Sequence, residues 1–461
     1  MLQRIFKLSE HRTTVSRELF AGLATFAAMA YILAVNPAIL MNGLGADPAI
    51  GTDPTSASFI ATKGALVTVT AITAAVSTII MALMTNYPIA LAPGMGINAF
   101  FAFSICLGAG VPWQQALGMV FINGIIFLLL SLTGVREKIV KCIPYPIKIA
   151  ITCGIGIFIA FIGLKNSGII VSNPVTLVAP GNFSQGPVAL ALAGIIIVLI
   201  LVARRVPGAI VIGIIGTTLI GLFVPDGQGG YVTRLPESFF ALPSSPAPVF
   251  LKLEFGFLES MGTFLIILPL LLTLLLVDMF DNIGTLIGVT KRAGYLDKDG
   301  NLPKAGRALV ADSFAAILSS LFGTSTVVSY IESASGVEAG GRTGLTAIST
   351  AILLLLALFL TPLILIIPAA ATAPALIVVG VFMLQSVTEI DMSDFRIAAP
   401  AALTIIGIPL TFSIAEGIGF GLISAALLAL ATGKPRGFTV TGYVIAVVFF
   451  LSFFHIFPFS G

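Results

Sequence analysis

Four acidic residues stand out because they lie inside strongly apolar stretches. Asp278 and Asp281 occur in LLLVDMFDNIGTLIGV, Asp312 in ALVADSFAAILSS, and Glu332 in a stretch rich in Gly, Ser and Thr. A carboxylate inside a membrane-spanning helix is costly unless it faces a polar cavity or a partner, so such residues are functional candidates. We assign Asp312 to hydrogen bonding between helices and the other three to substrate and proton chemistry.

Asp278 and Asp281 are three residues apart, so both project from one face of a helix, and Asn282 and Thr285 follow them. This pattern predicts a polar, water-accessible face on an otherwise apolar helix. The structural alternative is that the pair hydrogen-bonds to neighbouring helices or lines a mouth near Lys291. Of the two acids, Asp278 fits that alternative better.

Two stretches are predicted to be interrupted helices. Glu332 and Thr326 lie in LFGTSTVVSYIESASGVEAGGRTG, whose small and polar residues favour a short or broken helix with exposed backbone amides. The first half has a counterpart in NYPIALAPGMGINAFFAF, where Pro93 and Gly94 interrupt the run ahead of Asn98. Interrupted helices at corresponding places of two halves are typical of a transporter's binding site.

These residue types suggest a kind of substrate. Ionised carboxylates accept hydrogen bonds and an amide both donates and accepts, so Asp281, Glu332 and Asn98 suit a planar solute with ring N–H and C=O groups. Phe100 could stack on such a ring, and we place Thr326 in the same binding set. An anionic substrate fits these side chains poorly.

A group of carboxylates also suggests how transport is driven. Neighbouring acids disfavour each other's ionisation, so one of Asp278, Asp281 and Glu332 can gain and lose a proton. We therefore expect coupling to a proton gradient, and we expect no cofactor and no metal besides the coupling ion.

The composition excludes a soluble protein. Of 461 residues, 57% are hydrophobic and 9% are charged, with a mean hydropathy of +1.10, whereas soluble domains carry about 25% charged residues. The net charge of +3 forms no broad basic face, so nucleic acid is not an expected partner. Cys106, Cys142 and Cys153 show no CxxC spacing and are interpreted as packing residues.

Apolar runs of about 20 residues, the length that crosses a membrane as a helix, recur along the chain in two groups of seven. The first group comprises 17–40, 60–84, 88–107, 113–134, 143–164, 187–203 and 206–224. The second comprises 261–289, 305–322, 324–340, 343–363, 369–386, 415–432 and 439–457. The remaining run, 395–412, contains two prolines and is interpreted as a half-helix or interfacial segment, with a full crossing as the alternative. Because seven is odd, two halves of one fold must lie in the membrane upside down relative to each other.

The basic residues predict the orientation, since Lys and Arg concentrate on the cytoplasmic side. With a cytoplasmic N-terminus, most basic residues up to Arg396 fall inside, and four fall outside: Lys63, Lys165, Arg234 and Lys252. Lys434 and Arg436 count against the last two crossings, because this topology puts them outside. We predict a multi-pass protein of the inner or plasma membrane, surrounded by lipid.

These stretches resemble the AzgA-like branch of the nucleobase:cation symporter-2 (xanthine/uracil permease) family, the adenine, guanine and hypoxanthine permeases. The likeness covers nearly the whole chain. It is carried by four motifs: FAAMAYILAVNPAIL, YPIALAPGMGINAFFAF, VDMFDNIGTLIG and GTSTVVSYIESASGVEAGGRTGLTA.

The resemblance implies fourteen segments in two inverted repeats of seven, with short antiparallel strands in the third and tenth. It implies a core domain that binds substrate, at 1–135 and 255–365, and a gate domain, at 136–254 and 366–461, through which a homodimer forms. Matching the motifs places the family's binding residues on Asn98, Asp281 and Glu332, and Asp278 is similar to an additional acid of this branch.

The sequence therefore predicts a secondary transporter that imports adenine, guanine or hypoxanthine by proton symport and alternating access. Three alternatives are kept. A carrier of uracil, xanthine or another small neutral solute would use the same architecture. An anion carrier or channel would need a positive site, and no Lys or Arg lies between Phe322 and Gly341. An intramembrane aspartyl enzyme would need two acids on opposite sides of a scissile bond, and two acids on one helix face do not provide this.

Overall fold

The computed structural model describes residues 2–133, 144–227, 229–295, 302–433 and 438–454. Cys142, Lys434, Arg436 and the predicted domain boundary at residues 135 and 136 lie outside the described residues.

The first half of the chain is built from helices and a short strand at the third apolar run. Its elements are α1 Leu2–Ile5, α2 Val15–Met29, α3 Ile32–Leu44, α4 Ala57–Thr85, β1 Leu91–Pro93, α5 Met95–Ala99 continuing as a π-helix Phe100–Gly108, α6 Trp113–Thr133, α7 Tyr145–Asn166, β2 Ile170–Asn173, β3 Leu177–Pro180, α8 Gly186–Ala203 and α9 Ala209–Gly221. Strands β2 and β3 form a separate antiparallel hairpin.

The second half has a similar order, with one strand at its third element and without a counterpart of the β2–β3 hairpin among the described residues. After a 3₁₀ turn at Gly256–Leu258, its elements are α10 Met261–Arg292, α11 Ala305–Phe322, β4 Val327–Ser329, α12 Ser333–Glu338, α13 Gly344–Leu356, extended by a 3₁₀ turn Ala357–Leu360 and a helical turn Thr361–Leu365, α14 Ala369–Leu384 with a 3₁₀ turn Gln385–Glu389, α15 Phe395–Thr411, α16 Ile414–Ala431 and α17 Val440–Phe453. Several helix starts carry side-chain caps, as where Ser260 accepts the Thr263 N–H at the start of α10.

Within the described residues, ten helices are long and apolar enough to cross a membrane. Four shorter apolar helices accompany them: Met95–Gly108, Ala209–Gly221, Phe395–Thr411 and Val440–Phe453. The predicted all-α membrane fold is confirmed, and so are the paired strands of the third and tenth segments. The count of fourteen crossings stays a prediction.

The helices pack in reciprocal pairs, as expected if each helix of the first half has an equivalent in the second half. Helix α4 packs on α13 and α6 packs on α11, and likewise α8 packs on α14 and α7 on α15. These contacts match if α4 corresponds to α11, α6 to α13, α7 to α14 and α8 to α15. Such reciprocal pairs are what an inverted repeat produces, and they leave α17 without a counterpart.

Helices α7 and α14, which correspond in this scheme, also pack directly on each other. A methyl group on Gly380 would lie 2.3 Å from the carbonyl oxygen of Gly156. Each glycine lies twelve residues after a proline, Pro144 or Pro368, that precedes its helix. Equivalent residues in mutual contact lie on the pseudo-twofold axis, and only glycine permits this approach of the two backbones.

Residues of the 395–412 run form one continuous helix, α15, in spite of Pro400 and Pro409. Its 17 residues span about 25 Å, which is at the lower limit for a crossing. Helix α15 corresponds to α8 in the packing scheme, and this favours the alternative of a full crossing over a half-helix. Its position in the membrane stays a prediction.

A buried carboxylate that the sequence analysis did not single out holds α2 against α13. Glu18 of α2 has 0% exposure. It accepts the backbone N–H groups of Arg342 (2.9 Å) and Thr343 (3.1 Å) and the hydroxyls of Thr343 (2.8 Å) and Thr346 (2.6 Å). The acid therefore satisfies the free N–H groups at the start of α13.

Replacing Glu18 by Ala should lower thermal stability strongly. Each backbone N–H left unsatisfied in a buried site costs about 1–3 kcal/mol. The variant would leave two such groups unsatisfied, those of Arg342 and Thr343. We would measure the unfolding temperature of the detergent-purified protein, with Glu10→Ala as the control because Glu10 is an exposed partner of Lys7. An unchanged unfolding temperature in Glu18→Ala would contradict this role.

Candidate functional site

The two interrupted segments meet in a short antiparallel strand pair. Strands β1 and β4 align Leu91 with Ser329 and Pro93 with Val327. The pairing is extended at each end, where Gly94 N–H donates to the Thr326 carbonyl at 3.0 Å and Tyr330 N–H to the Ala90 carbonyl at 2.9 Å. All the strand residues are buried. The hydrogen bonds between the strands explain how non-helical backbone is tolerated at this depth.

Helices α5 and α12 begin directly after these strands, at Met95 and Ser333. Because the strands are antiparallel, the two helices leave the pair in opposite directions. Asp281 and Glu332 approach the strand pair from α10 and from the loop before α12.

Asp281 lies beside β1, at the edge of a narrow crevice. A methyl group on Gly94 would lie 3.5 Å from its Oδ2 atom, and the side chain is partly exposed. The crevice measures about 10 Å³ and Asp281 is its charged lining residue; the others are Gly96, Ile151, Thr152, Ile155, Val277, Phe280 and Met383. This volume holds on the order of one water molecule, so the site is closed around Asp281.

Glu332 is held by a tyrosine from the first segment. The Tyr31 hydroxyl donates to its Oε1 atom at 2.5 Å, and Tyr330 donates to the carbonyl of Pro93 at 2.8 Å. Glu332 follows the strand pair by two residues after Tyr330, whose N–H donates to the Ala90 carbonyl, and Asp281 lies beside Gly94 of the same pair. The structure therefore brings together the two acids that the sequence places 51 residues apart.

Asn98, Thr326 and Phe100 are fully buried next to these elements. The Ser325 hydroxyl contacts Oδ1 of Asn98. Within the described part of the chain, Nδ2 of Asn98 and Oγ1 of Thr326 have no hydrogen-bond partner, so both could serve a further polar group. Phe100, by contrast, belongs to the main hydrophobic core and does not line the crevice.

Asp278 points to a different neighbour from Asp281. It has 0% exposure, and the side-chain amide of Asn123 in α6 donates to its Oδ2 atom at 2.8 Å. Asp312 of α11 is similarly buried. Asp278 thus connects two helices, while Asp281 reaches the crevice.

Sequence reasoning missed Tyr31 and Asn123 as partners of the acids. Signals existed for both, since each places a hydrogen-bonding group inside an apolar run. The position of Tyr31 six residues before Pro37 is a further signal, because a proline disturbs the helix before it. What the sequence could not show is which acid each side chain meets.

A second, much larger cavity lies elsewhere. It measures about 610 Å³ and is formed at the starts of α6 and α10 by Val111, Gln115, Glu254, Phe255, Gly256, Phe257, Glu259, Thr263 and Ile267. Asp47 accepts from the indole of Trp113 at 3.0 Å and from the amide of Gln114 at 3.2 Å, the two residues directly before the lining residue Gln115. The backbone N–H of Ala49 and these two side chains hold the pKa of Asp47 below its usual value. None of the predicted binding residues lines this cavity.

Comparison with known proteins agrees with this architecture. The family model Xan_ur_permease, described as a permease family, matches residues 16–422. The chain is 45% identical over 99% of its length to a putative permease of Methanocaldococcus jannaschii, covering 98% of that protein. It is 43% identical over 98% of its length to the guanine/hypoxanthine permease PbuG of Bacillus subtilis, covering 99% of it. It is 40% identical over 98% of its length to the adenine permease AdeP of Escherichia coli K12, covering 95% of it.

Solved structures of similar fold are more distant in sequence. The transmembrane domain of a cyanobacterial bicarbonate transporter, BicA, has a TM-score of 0.59 at 17% identity, covering 89% of this chain and 97% of that one. A murine solute carrier 26 anion transporter in the inward-facing state has a TM-score of 0.61 at 11% identity, covering 90% of this chain and 68% of that one. At these identities the likeness concerns the fold alone.

Proposed function

Because the chain belongs to this permease family, we propose that it imports purine nucleobases, namely adenine, guanine or hypoxanthine, by proton symport. The observation that carries the proposal is the meeting of Asp281 and Glu332 beside the β1–β4 pair. Two carboxylates, with the unpartnered amide nitrogen of Asn98 and the hydroxyl of Thr326 nearby, match a flat base that carries both donors and acceptors. The relatives named as adenine and as guanine/hypoxanthine permeases support the same substrate class.

Alternating access supplies the transport cycle in this proposal. The crevice at Asp281 lies where the predicted core meets the predicted gate: Gly96 and Phe280 line it from the core, and Ile155 and Met383 line it from the gate. Small-molecule pockets usually measure about 300–1,000 Å³, so a base enters only if the core moves away from the gate. The proposal also includes a cytoplasmic N-terminus, no cofactor besides the coupling proton, and a homodimer through the gate.

The competing functions differ in their chemistry. The family and the named relatives are permeases, so the chain is not an intramembrane aspartyl enzyme. An anion carrier, as the names of the distant structural neighbours suggest for those proteins, would require positive charge where this chain has Asp281 and Glu332. Transport of uracil or xanthine is the stronger alternative. These bases carry ring N–H and C=O groups that the same side chains could bind.

Uptake into proteoliposomes tests the proposal. Labelled adenine, guanine and hypoxanthine are offered with an imposed pH gradient, and separately with a sodium gradient at constant pH. We expect accumulation of at least one of these three bases that depends on the pH gradient, and stronger competition by adenine, guanine or hypoxanthine than by xanthine or uracil. Accumulation of bicarbonate or chloride without purine uptake would overturn the proposal, and accumulation driven by sodium would replace the proton as the coupling ion.

Replacing Gly96 by Val should reduce uptake about tenfold or more, since overpacking costs about 1–3 kcal/mol. A methyl group on Gly96 would lie 2.9 Å from Cγ2 of Ile155, so a larger side chain fills the crevice between α5 and α7. The control is Gly216→Val in α9, where no atom of the described residues lies within 4 Å of the added carbon. Equal uptake rates of the two variants would show that the crevice is not on the substrate path.

A further inference from the structure

The first segment has an interruption that the sequence analysis did not predict. Helix α2 ends at Met29 and α3 begins at Ile32, with Tyr31 between them. Pro37 cannot donate a backbone hydrogen bond to the carbonyl of Leu33, which loosens this part of the helix. At the interruption Tyr31 is 3% exposed, so its hydroxyl needs a buried partner, and that partner is Glu332 at 2.5 Å.

From this contact we propose that Tyr31 is the positioning residue of the substrate site. Its hydroxyl holds Oε1 of Glu332 and thereby directs the other carboxylate oxygen, Oε2, toward a ring N–H of the base. The inference rests on the proposed function and adds to it a residue outside the third, eighth and tenth segments.

The surroundings of Glu332 explain why it needs a positioning group. Asp281 of α10 lies beside Gly94 at the same strand pair, and two carboxylates that share a site repel each other when both are ionised. The other nearby hydroxyl, that of Tyr330 directly after β4, donates to the carbonyl of Pro93 at 2.8 Å. A Glu side chain has three rotatable bonds, so without the phenol its carboxylate would turn away from Asp281 and the two acids would no longer be presented to one base.

The contact is also a hydrogen bond to a charged group, which is a stronger kind than one between neutral groups. It joins two interruptions, in the first and the tenth segments, across 301 residues of chain. A purely structural role would therefore be to fasten α3 to α12. The two roles differ in what changes when the hydroxyl is removed: substrate affinity in the first case and folding stability in the second.

The test is Tyr31→Phe, which removes the hydroxyl and keeps the ring. We expect the Kd of the purified protein for its best purine, measured by isothermal titration, to rise about tenfold, as for the loss of one hydrogen bond to a charged group. KM for uptake should rise similarly, while the maximal rate and the unfolding temperature of the substrate-free protein change little. Tyr87→Phe is the matched control, because the Tyr87 hydroxyl accepts from Lys304 N–H outside the site.

Tyr31→His provides a second variant that retains a ring donor. If Tyr31→Phe does not fold, Tyr31→His should still bind with a Kd close to that of the unchanged protein. An unchanged Kd in folded Tyr31→Phe, or a Kd raised tenfold or more in folded Tyr31→His, would overturn the inference. These outcomes are distinct from failure of the proposed function, in which the unchanged protein would take up no purine.

Discussion

Replacing Glu332 by Gln is expected to abolish proton-driven purine accumulation, with a loss of at least 100-fold. Gln has nearly the same shape and still offers an oxygen to the hydroxyl of Tyr31, so the variant should fold. It loses the negative charge, and hydrogen bonds to charged groups contribute about 1.5–3 kcal/mol, or roughly tenfold to more than 100-fold in affinity. If Glu332 also takes up the coupled proton, the loss in accumulation is larger than the loss in binding.

Two assays separate these contributions. Uptake against a gradient requires the coupled proton, whereas exchange of labelled for unlabelled base across the membrane does not. Exchange that persists without accumulation would assign the proton to Glu332, and loss of both would assign it a role in binding. The matched control is Glu338→Gln, an exposed acid of the same segment that pairs with Arg292 at 2.8 Å. Normal accumulation in folded Glu332→Gln would reject the site.

The sequence predicted the site mainly because membrane burial makes its features costly. Pro93 and Gly94 disfavour a continuous helix, and a carboxylate such as Glu332 is costly at membrane depth unless it meets a polar cavity or a partner. Both signals are local, so they could be read from one sequence. The strand pairing itself came from the family resemblance, since two three-residue strands carry almost no signal of their own.

The sequence alone could not show which side chains contact the buried acids. Tyr31 meets Glu332 across 301 residues, and Asn123 meets Asp278 across 155. The apolar runs that contain Tyr31 and Asn123 predict helices but not which helix faces meet. Phe100 illustrates the same limit, because its burial in the core depends on how the π-helix after α5 turns its side chains.

Asp278 and Asp281 lie on the same turn of α10 but should have different roles. Changes at Asp281 should lower uptake, and changes at the Asp278 contact should lower stability. Asp281 borders the crevice and is partly exposed, so Asp281→Asn should lower uptake at least 100-fold, by the same loss of charged hydrogen bonding. The unfolding temperature should change little, because the amide fills the same space and its surroundings already admit solvent.

Asp278 accepts from Asn123 in a fully buried setting, so removing that donor should act on stability. We expect Asn123→Ala to destabilise the protein by about 1.5–3 kcal/mol, while uptake per folded molecule stays within about threefold of the unchanged protein. Thermal unfolding and uptake normalised to folded protein measure the two effects on the same samples. If Asn123→Ala abolished uptake at normal stability, Asp278 would belong to the transport machinery rather than to the contact between α6 and α10. If Asp281→Asn transported normally, the base would have to bind away from the strand pair, because Asp281 is the acid that reaches the crevice there.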